Sequence, residues 1–345
     1  MTAKRNGILL AGNVIADYIK TIDTYPTIGM LSNVTEVSRS VGGCVPNTAI
    51  NLAKIDPTIP LFAAGRVGDD ENGRFIIEQL NAYGVSTEEI SVSPTASTSF
   101  SDAMSLRSGE RTFFHCRGAN SEFGPEHITP ENWTCRIAHF GYVLLLDRFD
   151  QAEETCGTVM AKTLQAVQAL GIKTSLDAVS DSSGNFPKTL IPALRYCDYV
   201  ILNEIESCSA WGLSPRTADG RLDEQNVRSA IRRMAEAGVK EKIIVHAKEV
   251  AFICNVADGQ ITVLPSLKVP AEEIVGSTGA GDAFCAASLY GLYHGYADRD
   301  LLEFASAAAV CNLTRDNAVD GMKPAAEVAE IAKTYPRLSL ESVVG

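Results

Sequence analysis

The residues with the densest chemical content lie late in the chain, in VGSTGAGDAFCAASLYGLY, Val275 to Tyr293. Small residues, an aspartate and a long apolar run in this order read as a strand ending near Val275, a tight turn through Gly279 and Gly281, and a helix from about Ala280. Glycine suits such a turn because it accepts positive φ and lets a ligand approach the backbone. A helix that starts there leaves its first amides unpaired at the positive end of its dipole, which makes a site for an anion, most often phosphate. Asp282 is then either a base beside that anion or a carboxylate that steadies the helix start. The turn is not a P-loop, because the chain contains no Gly-Lys dipeptide. It is not a dinucleotide fingerprint either, because Phe284 stands where the third glycine belongs.

Other polar residues stand at places where chemistry is possible. In ILNEIE, Asn203 and Glu206 follow a strand-like run; they suit a helix cap with first-turn charge, or a metal held through its water shell. Gly42 and Gly43 permit close backbone approach. Asn47 offers a donor and an acceptor to a hydroxyl, or a cap after Pro46, and Asp17 beyond the first strand can accept two hydroxyl bonds. Asp147 ends YVLLLD at the carboxyl end of an expected strand. The five histidines, at 115, 127, 139, 246 and 294, show neither metal spacing nor triad partners and read as structural. Arg107, Arg111 and Arg117 can pair a carboxylate or phosphate, but the simpler reading is a solvated hairpin face.

Positioning these residues requires a scaffold, and its pattern is visible. Short apolar runs suited to buried strands occur at 7–12, 142–146, 199–203, 242–246 and 250–254. Helical patterns lie at 47–54, 72–83, 152–170, 226–237, 280–293 and 301–313. The alternation predicts an α/β fold, a mostly parallel, doubly wound sheet flanked by helices, with ligands at the carboxyl ends of the strands. Residues 33–41 and the pair SFSDAMSL and RTFFHC, joined by Arg107-Ser108-Gly109-Glu110, interrupt that pattern as strands without helices. They predict a small β-sheet lid, with strands at about 14–41 and 97–118, inside a single domain covering 1–345. No repeat or linker composition divides the chain.

Composition excludes several classes. A formal charge of -12 and the lack of a Lys/Arg cluster argue against a nucleic-acid partner. Nine scattered cysteines without a C-x-x-C pair suggest neither a disulfide framework nor a zinc site. With no signal-peptide pattern and no apolar run of membrane length, the expectation is a cytoplasmic protein without a membrane partner.

STGAGDAF resembles the C-terminal signature of the ribokinase-like (PfkB) carbohydrate kinases, and four further motifs follow the family's order. These are GGCVPNTAINLAKI (42–55), AAGRVGDDENGRFIIEQLNAYGV (63–85), Asn203-x-x-Glu206, and the Ala-rich FASAAAVCNLTRDNA (304–318). The resemblance implies an ATP-dependent kinase that phosphorylates a primary hydroxyl of a small sugar or sugar derivative. Asp282 would be the base, kept ionised by the helix start, with the amides of Gly279, Ala280 and Gly281 around the γ-phosphate. Asp17, Gly42, Gly43, Asn47, Asn120 of the Gly-Ala-Asn triplet and Asp147 would meet the sugar. Thr278, Ser306 and Ala309 would meet the nucleotide, together with Asn203, and Asn203 and Glu206 would hold Mg2+ through water. Relatives pair through the lid, so a homodimer is expected. Gly276 replaces a usual aspartate linked to a monovalent-cation site, so the resemblance leaves K+ activation in doubt. Asn317 replaces a usual glycine, and HAKEVAF (246–252) lacks the glycines common in the nucleotide loop. A nucleoside kinase, a sensor that has lost catalysis, and an oxidoreductase remain as alternatives.

Overall fold

Alternating apolar residues bury both faces of the main sheet. On the strand Tyr199–Asn203, Tyr199 and Ile201 join one core cluster while Val200 and Leu202 join the other, as the two-residue period of a strand requires. The computed structural model describes residues 5–106, 110–180 and 184–345.

In chain order the strands are β1 (Ile8–Gly12), β2 (Ile15–Ile22), β3 (Val34–Gly42), β4 (Leu61–Gly68), β5 (Ser86–Ser93), β6 (Phe100–Leu106), β7 (Arg111–Cys116) and β8 (Ile137–Val143). They continue with the short pair β9 (Ala152–Glu153) and β10 (Gly157–Thr158), then β11 (Lys173–Ala178), β12 (Tyr199–Asn203), β13 (Lys242–His246), β14 (Val250–Asn255) and β15 (Gln260–Pro265). The helices are α1 (Cys44–Ile55), α2 (Glu71–Ala82), α3 (Val159–Ala169), α4 (Phe186–Leu194), α5 (Glu204–Ser209), α6 (Glu224–Glu236), α7 (Ala280–His294), α8 (Asp298–Leu313), α9 (Ala325–Thr334) and α10 (Leu340–Val343).

The large sheet runs β15-β14-β13-β12-β11-β8-β1-β4-β5. Its strands from β13 to β5 pair in parallel, and β14 and β15 add an antiparallel edge. One face is covered by α1, α7 and α8, the other by α3, α4 and α6. The observed architecture is therefore the α/β sheet with helices on both faces that the alternation implies.

The small sheet has four strands in the order β3-β2-β6-β7. It is mixed, because β2 runs parallel to β6 while the outer pairs are antiparallel. Its inner ends, at Ile15, Ala16 and Val41, are buried against the main body. Val37 and Phe114 on one face and Phe113 on the other are each about 60% exposed. The turn expected at Arg107-Ser108-Gly109-Glu110 falls mostly outside the described residues.

Three expectations change. The strand carrying YVLLL starts earlier, at Ile137, and ends at Val143; Leu144 then takes φ +79° and the chain turns away, so Asp147 does not end a strand. Residues 152–158 form the β9–β10 hairpin, and α3 starts only at Val159, where Thr158 caps it by accepting from the Ala161 amide. No strand ends near Val275; a short 3-10 turn, Ala271–Glu273, precedes the glycine turn, and the amides of Val275 and Gly276 donate to the Leu313 carbonyl. That stretch is highly exposed and pairs with no strand, so its β-branched residues do not decide its conformation.

Candidate active site

The parallel strands bring their carboxyl ends to one edge. Register places Gly12 beside Gly141 and Asn203 beside His246, so Asn13, Tyr142, Asp177, Asn203 and His246 follow one another along it. The head of α7 lies across this edge. Gly279 takes φ 77° as the residue before the helix, and a Cβ there would come within 2.5 Å of the Ala318 Cα. Only glycine fits. The Ala318 segment is held by Asn51, whose Nδ2 donates to the Ala318 carbonyl at 3.0 Å, and by Lys54, which donates to the Val319 carbonyl. Asn312 on α8 donates to the Thr278 carbonyl. The turn is thus fixed by two other helices.

Helix geometry leaves the amides of Gly281 and Asp282 without intrahelical acceptors. The Ala280 amide is not free: it donates to the Ser277 carbonyl at 3.2 Å. That corrects the expected set of three free amides, because the turn closes on itself one residue early.

Asp282 is only 8% exposed. One carboxylate oxygen accepts from Asn47 Nδ2 at 2.8 Å, and the other accepts from the Tyr142 hydroxyl. Burial pushes its pKa up to about 6, against the lowering effect of these two donors. At neutral pH such a carboxylate is still mostly ionised, but desolvation makes it more basic than an exposed aspartate. Asp17 on β2 rises further, to about 7, through burial first and then the charge of Asp282, with Ser101 opposing. Gly42 lies against Asp17, where a Cβ would meet its carboxylate at 2.2 Å. Gly43, at φ +82°, precedes α1, with the Asn13 carbonyl 2.5 Å from where a Cβ would stand.

Asn47 lies inside α1 and makes no cap; its own amide donates to Gly43. The Asn47 Oδ1 is buried without a partner among the described residues. Asp17, Gly42, Gly43, Asn47 and Asp282 thus come together. Asn120 is fully buried; its Oδ1 accepts from the Val14 amide after β1, and its Nδ2 has no partner among the described residues. Asp147 is exposed, pairs with Arg117, and lines a separate cavity of about 460 Å3 with Asp150, Thr158 and Lys188.

Asn203 and Glu206 form a reciprocal capping box on α5. The Asn203 Oδ1 accepts from the Glu206 amide and the Glu206 Oε2 from the Asn203 amide, each at 2.9 Å, while Asn203 Nδ2 and Ser180 Oγ both donate to Glu206 Oε1. Burial raises the Glu206 pKa to about 7. Asp177 is pushed well above the carboxylate range by burial and by the charges of Glu206 and Asp282. These hard oxygens suit Mg2+, and since both Glu206 oxygens are already bonded, contact through water fits better than direct ligation. A second group, His139, Asp177 and Cys285, mixes nitrogen, oxygen and sulfur within 4.8 Å and suits a softer ion.

A cavity of about 380 Å3 opens beside the turn. It is lined by Ala280, Gly281, Phe284, Ser306, Ala309 and His246, among others. Thr278 lies just outside that lining. His246 packs on Phe284, with ring centroids 4.8 Å apart, and burial lowers its pKa to about 4, so it is neutral. The sequence reading set His246 aside as structural and missed Asn13, Tyr142 and Asp177. Tyr142 and Asp177 each stand one residue before the end of their strands, β8 and β11, and that position on one edge was the available signal. Asn317 does not use a left-handed conformation; its Oδ1 accepts from the Val319 and Asp320 amides instead.

Residues 8–325 match the model of the pfkB family carbohydrate kinases. The chain is 24% identical over 329 residues to a ribokinase of Arabidopsis thaliana, covering 94% of this chain and 81% of the relative. It is similar in fold to an A. thaliana ribokinase solved with ribose and ATP, at TM-score 0.77 and 21% identity over 95% of this chain and 99% of that one. An E. coli protein determined with ATP and Mg2+ is also similar, at TM-score 0.73 and 20% identity over 96% and 100% of the two chains.

Proposed function

The chain belongs to the pfkB family of carbohydrate kinases, and from that premise we propose that it transfers the γ-phosphoryl group of ATP to a primary hydroxyl of a small sugar, with Asp282 as the base. The observation that carries this reading is the Asp282 carboxylate, buried at the head of α7 between Asn47 of the Gly-Gly helix and the cavity at Gly281.

The sugar sits beside the Gly42–Gly43 turn, where the lack of side chains lets the Asp17 carboxylate and the Asn13 carbonyl pack close, and bonds to Asp17 and to the unpartnered Oδ1 of Asn47. Its primary hydroxyl donates to Asp282. As that oxygen bonds to the γ-phosphorus, the bond to the leaving ADP oxygen breaks and the proton passes to the carboxylate. A pKa of about 6 makes Asp282 a better acceptor for that proton than an unperturbed aspartate. The first-turn amides at Gly281 and Asp282 face the charge on the transferring group, which is mainly a matter of alignment and neutralisation. Ser306, Ala309 and Phe284 enclose the base, and Thr278 with Gly279 and Ala280 holds the turn against the phosphates. Mg2+, when bound, neutralises phosphate charge, and Asn203 and Glu206 would hold it through water.

The small sheet acts as a lid that excludes water, since Asp17 and the Gly-Gly turn join it to the site. Its exposed β3 edge and the apolar Val37, Phe113 and Phe114 support a homodimer through the lid, which sedimentation equilibrium reads directly. The nine cysteines are all free, which suits a reducing compartment, and no helix among the described residues is long and apolar enough to cross a membrane.

The test is ADP release with ATP and Mg2+ over ribose, fructose, 2-keto-3-deoxygluconate and adenosine, with wild type and Asp282→Asn. We expect turnover on at least one sugar and a loss of about a thousandfold or more in the variant. Equal rates in the two proteins would remove Asp282 as the base, and turnover on adenosine alone would make the protein a nucleoside kinase.

A further inference from the structure

Taking Asp282 as the base, as above, we propose that Tyr142 is a positioning residue for the transfer reaction, its hydroxyl holding one oxygen of Asp282 while Asn47 holds the other. A carboxylate near the start of a helix turns easily about its last torsion, whose energy wells are broad. Two donors on separate oxygens, one from α1 and one from the end of β8, define the plane in which the carboxylate lies.

The tyrosine is itself anchored. Its backbone amide donates to Asn13 Oδ1 at 2.7 Å, and Asn13, fully buried, donates in turn from Nδ2 to the Leu145 carbonyl and from its amide to the Gly141 carbonyl. A phenol on a short, two-torsion side chain, fixed at its root by this network, is a stiffer donor than a lysine or a water. The groups facing Asp282 from the surrounding elements are Asp17 on β2, Cys44 and Asn47 on α1, Tyr142 at the end of β8, Asp177 on β11, and Cys285 on its own helix. None of them is cationic, so the two hydrogen bonds are the main support for the ionised form of the base. Burial raises the phenol well above its ordinary range, which keeps it a neutral donor throughout the working pH.

The experiment compares wild type, Tyr142→Phe and Asp282→Asn from pH 5 to 9, with the sugar that turns over best. For Tyr142→Phe we expect an ATP KM within about twofold of wild type and a kcat about tenfold lower. The acid limb of kcat/KM for the sugar should move up by about one pH unit, because a donor to the charged form is lost. Site-specific 3-fluorotyrosine at 142 keeps the shape and is a stronger donor, so it should move the limb down and gives an answer should the phenylalanine variant not fold. A lower kcat with an unmoved acid limb in both variants would mean that the ring only fills space, and the proposal would fall. If Asp282→Asn is inactive while the Tyr142 profiles match wild type, only this inference fails; if Asp282→Asn turns over normally, the base reading fails first.

Discussion

Gly279 and Gly281 stand two residues apart in one turn, yet the structure predicts opposite consequences for adding a methyl group. At Gly279 a Cβ would meet Ala318 Cβ at 2.3 Å and its Cα at 2.5 Å, with φ at 77°. Forcing a non-glycine residue into that region costs ~1–2 kcal/mol. Displacing backbone that Asn51 and Lys54 hold in place adds ~1–3 kcal/mol of overpacking. Gly279→Ala should therefore lose about 2–5 kcal/mol of stability in urea unfolding. At Gly281 the nearest atom to a new Cβ is His246 Cε1 at 3.5 Å, ordinary contact, and no positive φ is needed. Gly281→Ala should unfold within ~0.5 kcal/mol of wild type, helped if anything by helix propensity. Its methyl group would stand on the wall of the cavity proposed for the nucleotide, where a displacement of about 1 Å can cost about a hundredfold in rate. The assays are urea unfolding and coupled ADP release on the same preparations. Full activity in a stably folded Gly281→Ala would refute the turn as the phosphate site, and an undiminished stability of Gly279→Ala would refute the packing argument.

Ala309→Phe puts a ring into the cavity of about 380 Å3; the KM for ATP should rise at least tenfold while sugar binding, measured by calorimetry without nucleotide, is unchanged. The carboxyls of Asp17 and Asp282 have folded pKa values of about 7 and about 6 against an unperturbed 3.8. The folded protein holds these protons more tightly than the unfolded chain, so the two groups favour folding least at high pH, and stability falls as pH rises from about 4 through about 7. Asp17→Asn should accordingly melt above wild type at pH 8, with the gap narrowing towards pH 5, at the cost of weaker sugar binding; an equal gap at both values would show that Asp17 is not the group responsible.

Local residue order was enough to read some parts of this molecule. Glycines at 279 and 281 before an apolar run announce a turn that opens a helix, and short apolar runs separated by helical periods announce a covered parallel sheet, because both patterns follow from backbone sterics and from burial on known periods. Asn203-x-x-Glu206 likewise contains its own capping box, since the bonds that close it span only three residues. What lies between distant segments was not legible. Asp147 reads as a strand terminus, yet its strand ends at Val143 and the chain turns away at Leu144. Asn120 turns its Oδ1 to the Val14 amide, 106 positions away, a contact that local residue order does not show. Tyr142, 140 positions from Asp282, bonds to it only because β8 and the head of α7 meet at one edge of the sheet. The same holds for the acidity of the base: residue type and helix position predict an ionised aspartate, and only the burial created by tertiary packing lifts its pKa to about 6. Sequence alone determined which residues could do phosphoryl chemistry; the fold decided which of them meet, and how much water each one keeps.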